Sequence, residues 1–448
     1  MHEESSATSP PSALPGLRLR LSVMMFLEFF IWGAWLPLIF GYLDSLKFEA
    51  WEQSWILNAF ALASFTAMFF STQFADRTFA AEKFLAFSQL VGGLAILGLA
   101  WTTDFWPFFL LMLVHSLFYV PTISITNSIA FANLKDAKRE FGLVRLWGTI
   151  GWIAAAWPFV FILVDWDKVP AYGTVPFVEW LGKALGTPKT GDALREGTRY
   201  TFLVAGIASL ALAALSLVLP HTPPKPAAEG SERFAWLEAM KLLRLPFVFV
   251  LFVVTFLDAA VHQGYFVLTG QYLEKIGIPG NWVMPVMSAG QVAEILTMAM
   301  LGAVLKKIGW RMTMLFGILG HTMRFTVFAC LPMPWPAGLA ILLHGICYAF
   351  FFATVYIFVD EYFPKDARSS AQGLFNFLIL GLGPFVGNFA WPYLKKMLTS
   401  GGDVDYRTLF AVPAGVSLVA AFVLFVFFRP PSSGVSEPAL EERFYQDS

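Results

Sequence analysis

The chain alternates between long apolar runs and short polar stretches. A membrane-crossing helix needs roughly 20 mostly apolar residues, within a range of about 17–25. Runs of that kind occupy 21–43, 53–75, 84–101, 105–132, 143–164 and 200–219. A polar stretch, HTPPKPAAEGSERF, starts at His221, and six further runs occupy 246–270, 282–304, 312–332, 335–359, 370–394 and 407–428. The pattern predicts an all-α membrane protein of about twelve transmembrane helices. It divides the chain into a disordered tail over 1–20, six helices over 21–219, a linker over 220–245, six more helices over 246–428 and a second tail over 429–448.

Composition supports lipid as the solvent. Of the 448 residues, 57% are hydrophobic and 14% charged, with 47 Phe and 16 Trp. A soluble domain carries about 25% charged residues, and so few charges could not cover this much apolar surface in water. Net charge is −1, which points to no nucleic-acid partner. Cys330 and Cys347 both fall in apolar runs and read as small buried hydrophobes, not as a metal or disulfide pair. The N-terminus, MHEESSATSPPSALPG, has neither the basic start nor the short apolar core of a cleavable signal, so the first span is expected to be retained.

Loop charge predicts orientation. With both termini cytoplasmic, about 18 Lys and Arg lie inside and about 10 outside, five of the latter in the long loop 165–199. The linker, with Lys225, Arg233, Lys241 and Arg244, is then cytoplasmic. Within 165–199 the segment VPFVEWLGKALG has helical periodicity and predicts a short interfacial helix on the outer side.

The two sets of spans resemble each other. HSLFYVPTISITNSIAFANLKDAKREFG from His115 aligns with HGICYAFFFATVYIFVDEYFPKDARSSAQG from His344, pairing His115 with His344, Tyr119 with Tyr348 and Lys135-Asp136-Ala137 with Lys365-Asp366-Ala367. Six spans per repeat leave both repeats pointing the same way. That resembles the parallel pseudo-repeats of major facilitator transporters, whose substrate lies near the midplane between the halves. FADR at Phe74–Arg77 and LKKIGWR at Leu305–Arg311 occupy matching loops and resemble weak forms of that superfamily's Asp-Arg loop, although positive-inside charge alone also accounts for them.

Ionisable side chains within a span cost about 2.5–3.5 kcal/mol on insertion scales and usually face a cavity or a partner. Glu28, His115, Arg145, Asp258, His262, Glu294, His321, Arg324 and His344 all lie in the spans. Glu28, Trp32 and Trp35 share one helical face, an acid beside two indoles that suits a polar ligand with a flat ring. A structural hydrogen bond from Glu28 with lipid-facing tryptophans fits the same spacing. Arg145, Thr149 and Trp152 share a face of the fifth span, where Arg145 either binds a ligand or snorkels to the interface. Gln291 and Glu294 are i, i+3 neighbours. Desolvation disfavours the charged form of a buried carboxyl, which makes Glu294 a candidate proton carrier unless Arg145 or Arg324 pairs with it. His344 and Tyr348 share a face with Phe351 and Phe352 and could stack a ring or pack the core. His115 reads as structural, and His321 with Arg324 as a brace. Asp258 and His262, at i, i+4, could satisfy each other, leaving Gln263 as the better ligand contact.

Enzyme signatures are missing: there is no GxSxG, HExxH, Walker A loop or Cys/His metal spacing, so neither a cofactor nor a metal is expected. Transport would be driven by an ion gradient or run downhill.

At FLEFFIWGAWLPLIFGYL, RLWGTIGW, LPHTPP and the tenth and eleventh spans, from about Leu19 to Arg429, the chain resembles the nucleoside:proton symporters of the major facilitator superfamily. The resemblance implies proton-coupled nucleoside import across the cytoplasmic membrane by a protein expected to be a monomer. It implies a pocket in which Arg145, Thr149, Gln263, Gln291 and Glu294 hydrogen-bond ribose and base, with Trp152 where the family often has Phe. Glu294 is the implied protonation site. This chain departs from the family at Phe266, His344, Tyr348, Ala349 and Glu28, where an amide, Tyr, Phe, an acid and Gln would be expected. Glu28 could have taken over an acidic, proton-coupling role. A sugar or glycoside symporter and a passive facilitator are the alternatives, since their pockets would hold similar groups.

Overall fold

The structure is a computed structural model that describes residues 16–70, 79–134, 137–224, 241–363 and 365–430. Among the described residues, ten helical segments are long and apolar enough to cross a membrane. The first six runs fold as α1 (Leu17–Ser45), α2 (Ala50–Phe70), α3 (Ala81–Leu99), α4 (Phe105–Asn133), α5 (Ala137–Ala156) and α6 (Tyr200–Ser216). The later runs fold as α7 (Pro246–Lys275), α8 (Val283–Cys330), α9 (Pro334–Tyr362), α10 (Ala371–Met397) and α11 (Tyr406–Phe427).

The runs at 282–304 and 312–332 were expected as separate helices, and here they meet in the single element α8. Helical backbone continues through LKKI and resumes at Trp310, with one break at Gly309, whose φ of 74° is left-handed. FADR, most of the linker and both tails lie outside the described residues. The helix read in VPFVEWLGKALG is present as Phe177–Leu185, followed by a second short helix, Gly191–Thr198.

Two of the motifs have local structural reasons. In RLWGTIGW, a side chain at Gly151 would sit 2.1 Å from the Phe26 carbonyl oxygen, so only glycine lets α5 approach α1 this closely. In LPHTPP, His221 and the Thr222 amide both bind the Glu82 carboxylate, at 2.8 and 2.9 Å, and the Ala81 amide donates to Thr222 at 2.9 Å. The segment after α6 is thereby tied to the start of α3, whose free N–H groups favour an acid there.

Buried apolar side chains form one large cluster that runs through α1–α6 into α7–α11, a second within the later helices from Leu242 to Phe428, and a small third around Phe159 and Met284. A central cavity remains between α1, α2, α4 and α5 on one side and α7–α10 on the other.

Candidate functional site

The cavity encloses about 220 Å³. That is below the roughly 300–1,000 Å³ of drug-sized sites, so it fits a small ligand. One part is aromatic. Trp32 stacks on Phe60, with centroids 4.8 Å apart and planes 13° apart, and Trp152 meets Trp32 edge-on at 5.3 Å. Phe266 meets Trp152 at 6.4 Å. Aromatic rings that line a cavity can stack a flat ring.

The rest of the wall is polar. Arg145 and Thr149 reach it from α5, Gln263 from α7, Gln291 and Glu294 from α8, and His344 and Tyr348 from α9. The Arg145 guanidinium lies 3.9 Å from the centre of the Phe29 ring. A side chain at Gly148 would come within 2.6 Å of both Arg145 and Phe29, so the glycine of RLWG gives the arginine its place. Glu294 forms no ion pair with Arg145 or Arg324 among the described residues, and its carboxylate is open to the cavity. The Gln291 amide lies 3.3 Å from His344 Nε2.

One of the expected residues sits elsewhere. Glu28 does not line the cavity. It is fully buried among the first helices, where Thr122 and Gln89 donate to its carboxylate at 2.7 and 2.9 Å. The spacing with Trp32 was correct, but an acid on a helix face finds donors on neighbouring helices as readily as in a cavity. Asp258 and His262 do not satisfy each other either: neither Asp258 oxygen nor His262 Nδ1 has a hydrogen-bond partner among the described residues. His115 is structural as expected, its Nδ1 3.0 Å from the Gly92 carbonyl oxygen. His321 and Arg324 stand behind the cavity wall, 2.8 Å apart.

The polar wall also holds residues not singled out in the sequence. Gln263 donates to Asn388 Oδ1 at 2.8 Å, and Asn388 donates to Asn58 Oδ1 and to the Leu57 carbonyl oxygen, both at 3.1 Å. Only an amide in an apolar run marked them, and asparagine is a weaker signal than a charge. Segments Tyr348–Ala353 of α9 and Phe377–Leu382 of α10 are π-helical, and both meet the cavity, at Tyr348, Phe352, Ile379 and Leu380. Such turns recur at functional sites.

Polar ties between the earlier and later helices gather on the face that carries the 165–199 loop. Asp44 accepts from Gln271 and Lys395, and Lys396 pairs with Glu49 at 2.8 Å. Asn281 donates to the Val160 and Leu185 carbonyl oxygens at 3.0 and 3.1 Å. In the connection between α1 and α2, the Lys396 ammonium holds the Glu49 carboxyl below its usual range.

A family model described as "Nucleoside H+ symporter" matches residues 16–172 and 163–433. The chain is 31% identical to the "Putative nucleoside transporter YegT" of Escherichia coli over 95% of its own length and 96% of that protein's. It is 26% identical to the "Xanthosine permease" of the same organism, over 92% and 96%. The crystal structure of the nucleoside transporter NupG superposes with a TM-score of 0.78 at 24% identity, covering 93% of this chain and 100% of that one.

Proposed function

The chain belongs to the nucleoside H+ symporter family, and on that premise we propose that it imports nucleosides with protons across the bacterial inner membrane, by alternating access through the central cavity. The observation that carries this reading is the cavity wall itself: an aromatic box of Trp32, Phe60, Trp152 and Phe266 faces Arg145, Gln263, Gln291 and an unpaired Glu294. The box takes the base. Amides and the guanidinium take ribose hydroxyls and base edges, and Glu294 takes a proton together with substrate.

Twelve crossings fit the helices. At 1.5 Å per residue, the 48 residues of α8 reach about 70 Å, more than twice a bilayer core of about 30 Å. The turn at Gly309 makes α8 two spans, and α2 completes six spans before the linker. We place both termini in the cytoplasm, on the loop charges, which puts the 165–199 loop outside. The polar ties at that face then make this the conformation closed to the outside. The cavity is complete within one chain, in keeping with a monomer.

Arginine at 145 can hydrogen-bond substrate hydroxyls with a charge-assisted bond. Purified protein should bind uridine or adenosine, and sugars should fail to displace them. Displacement by a sugar while nucleosides do not compete contradicts the reading.

A further inference from the structure

Behind the cavity wall a chain of buried polar groups runs from Gln291 inward to Asp258. Arg324 is fully buried, with one guanidinium nitrogen 2.8 Å from His321 Nδ1 and another 3.3 Å from His344 Nδ1. Arginine only donates, so both imidazoles accept at Nδ1 and carry their hydrogen on Nε2. His344 Nε2–H then faces Gln291, whose oxygen is turned toward it when the amide nitrogen donates to the Met287 and Ser288 carbonyl oxygens, at 3.1 and 3.2 Å. At the other end His321 Nε2–H faces Asp258 Oδ2 at 3.6 Å, beyond hydrogen-bond range.

Asp258 is therefore the acceptor left over. It is fully buried, and neither of its oxygens has a partner. An ionised carboxylate there makes no hydrogen bond, and the nearby Arg324 guanidinium is what offsets its desolvation. The groups that act on it are Arg324 and His321 of α8 and Cys347 of α9, with His262 and Tyr265 about one and two turns on along its own helix and His344 beyond Arg324. Neither 383–391 of α10 nor 408–427 of α11 contains a titratable residue.

The counterpart in the first set of helices sharpens the contrast. Glu28 lies fourteen residues before Tyr42, and Asp258 fourteen before Tyr272. Glu28 accepts hydrogen bonds from Gln89 and Thr122, whereas Asp258 accepts none.

We propose that Asp258 is a proton-binding site, loaded and unloaded once per transport cycle and linked to the substrate cavity through His321, Arg324 and His344. The proposal rests on the symport reading above. One proton leaves the outer water and forms an O–H bond on the Asp258 carboxylate; that bond breaks after the halves rock, and the proton passes to the cytoplasmic water. Nothing else is consumed. With Asp258 ionised, its charge balances Arg324. With the proton bound, the guanidinium is uncompensated, and its hold on the two Nδ1 atoms sets how His344 meets Gln291 at the wall. Glu294 touches the cavity and Asp258 does not, so the two acids are separable.

The test is nucleoside accumulation in proteoliposomes of the full chain, measured with uridine, adenosine and xanthosine as a function of the imposed pH difference. Counterflow, which needs no net proton movement, is measured beside it. Asp258→Asn should keep counterflow and carry one proton fewer, lowering the limiting accumulation about tenfold per pH unit. An accumulation slope equal to wild type overturns the proposal. Should Asp258→Asn also lose counterflow, Asp258→Glu decides: a shifted pH profile of counterflow supports the site, and an unshifted one overturns it. If the wild-type chain moves no nucleoside, the symport reading fails. If wild type accumulates nucleoside and Asp258→Asn matches it, only the proton site fails.

Discussion

Arg145 has its guanidinium against Phe29 and its donors at the cavity wall. Hydrogen bonds to a charged group are worth about 1.5–3 kcal/mol, or roughly tenfold to a hundredfold in affinity. Arg145→Ala should weaken nucleoside binding by that factor in calorimetry on purified protein, and unchanged affinity removes Arg145 from the pocket. Glu294→Gln should lower proton-driven accumulation by the share of one coupled proton while exchange of nucleoside across the membrane continues; full concentrative uptake by that variant would rule out Glu294 as a proton carrier. These groups were legible in the sequence because a charge or long amide inside a span is expensive and stands out. Glu28 was misplaced for the same reason: its insertion cost is identical whether donors come from a ligand or from Gln89 and Thr122, on helices 61 and 94 residues away. Asn58 and Asn388 went unnoticed because a neutral amide in an apolar run raises little alarm.

Among the elements, α5 owes its position to glycine. Gly151→Leu would drive a side chain into the Phe26 carbonyl, and overpacking of this kind costs about 1–3 kcal/mol. It should lower the melting temperature and the transport rate together. Gly142→Ala, on the same helix with nothing within 4 Å, should change neither. Equal effects from the two substitutions would contradict the close α1–α5 contact. The apolar runs predicted most helices to within a few residues, because span length is set by membrane thickness. The π-helical turns and the single break in α8 were not legible, since they depend on packing around the cavity and on one backbone angle at Gly309. Glu49 and Lys396 carry a pH dependence of known sign. The Glu49 carboxyl sits below its usual range, so its tie is intact at neutral pH and is lost as pH falls through that lowered value. The pair is exposed and screened. Glu49→Gln should therefore lower the melting temperature only slightly at pH 7, with the difference vanishing in acid; a difference that grows in acid contradicts the pairing.

For the whole molecule, the ties from Asp44 to Gln271 and Lys395 join the two sets of helices at the face that carries the 165–199 loop, the outer face in the orientation proposed above. Removing them should shift the population toward the outward-open form, because a two-state equilibrium follows differential contacts. In a chain with Cys330 and Cys347 replaced by alanine, a cysteine at Leu36 on the cavity wall should react faster with a membrane-impermeant thiol reagent from outside once Lys395→Ala is added. No change in that rate contradicts the gate. The central claim is proton-driven nucleoside import, and proteoliposome uptake of a labelled nucleoside panel, with and without an imposed pH gradient, tests it most directly. Nucleosides should accumulate above equilibrium only when the outside is acidic, and sugars should leave that uptake unchanged. Equal uptake with and without the gradient, or displacement by a sugar alone, would contradict it.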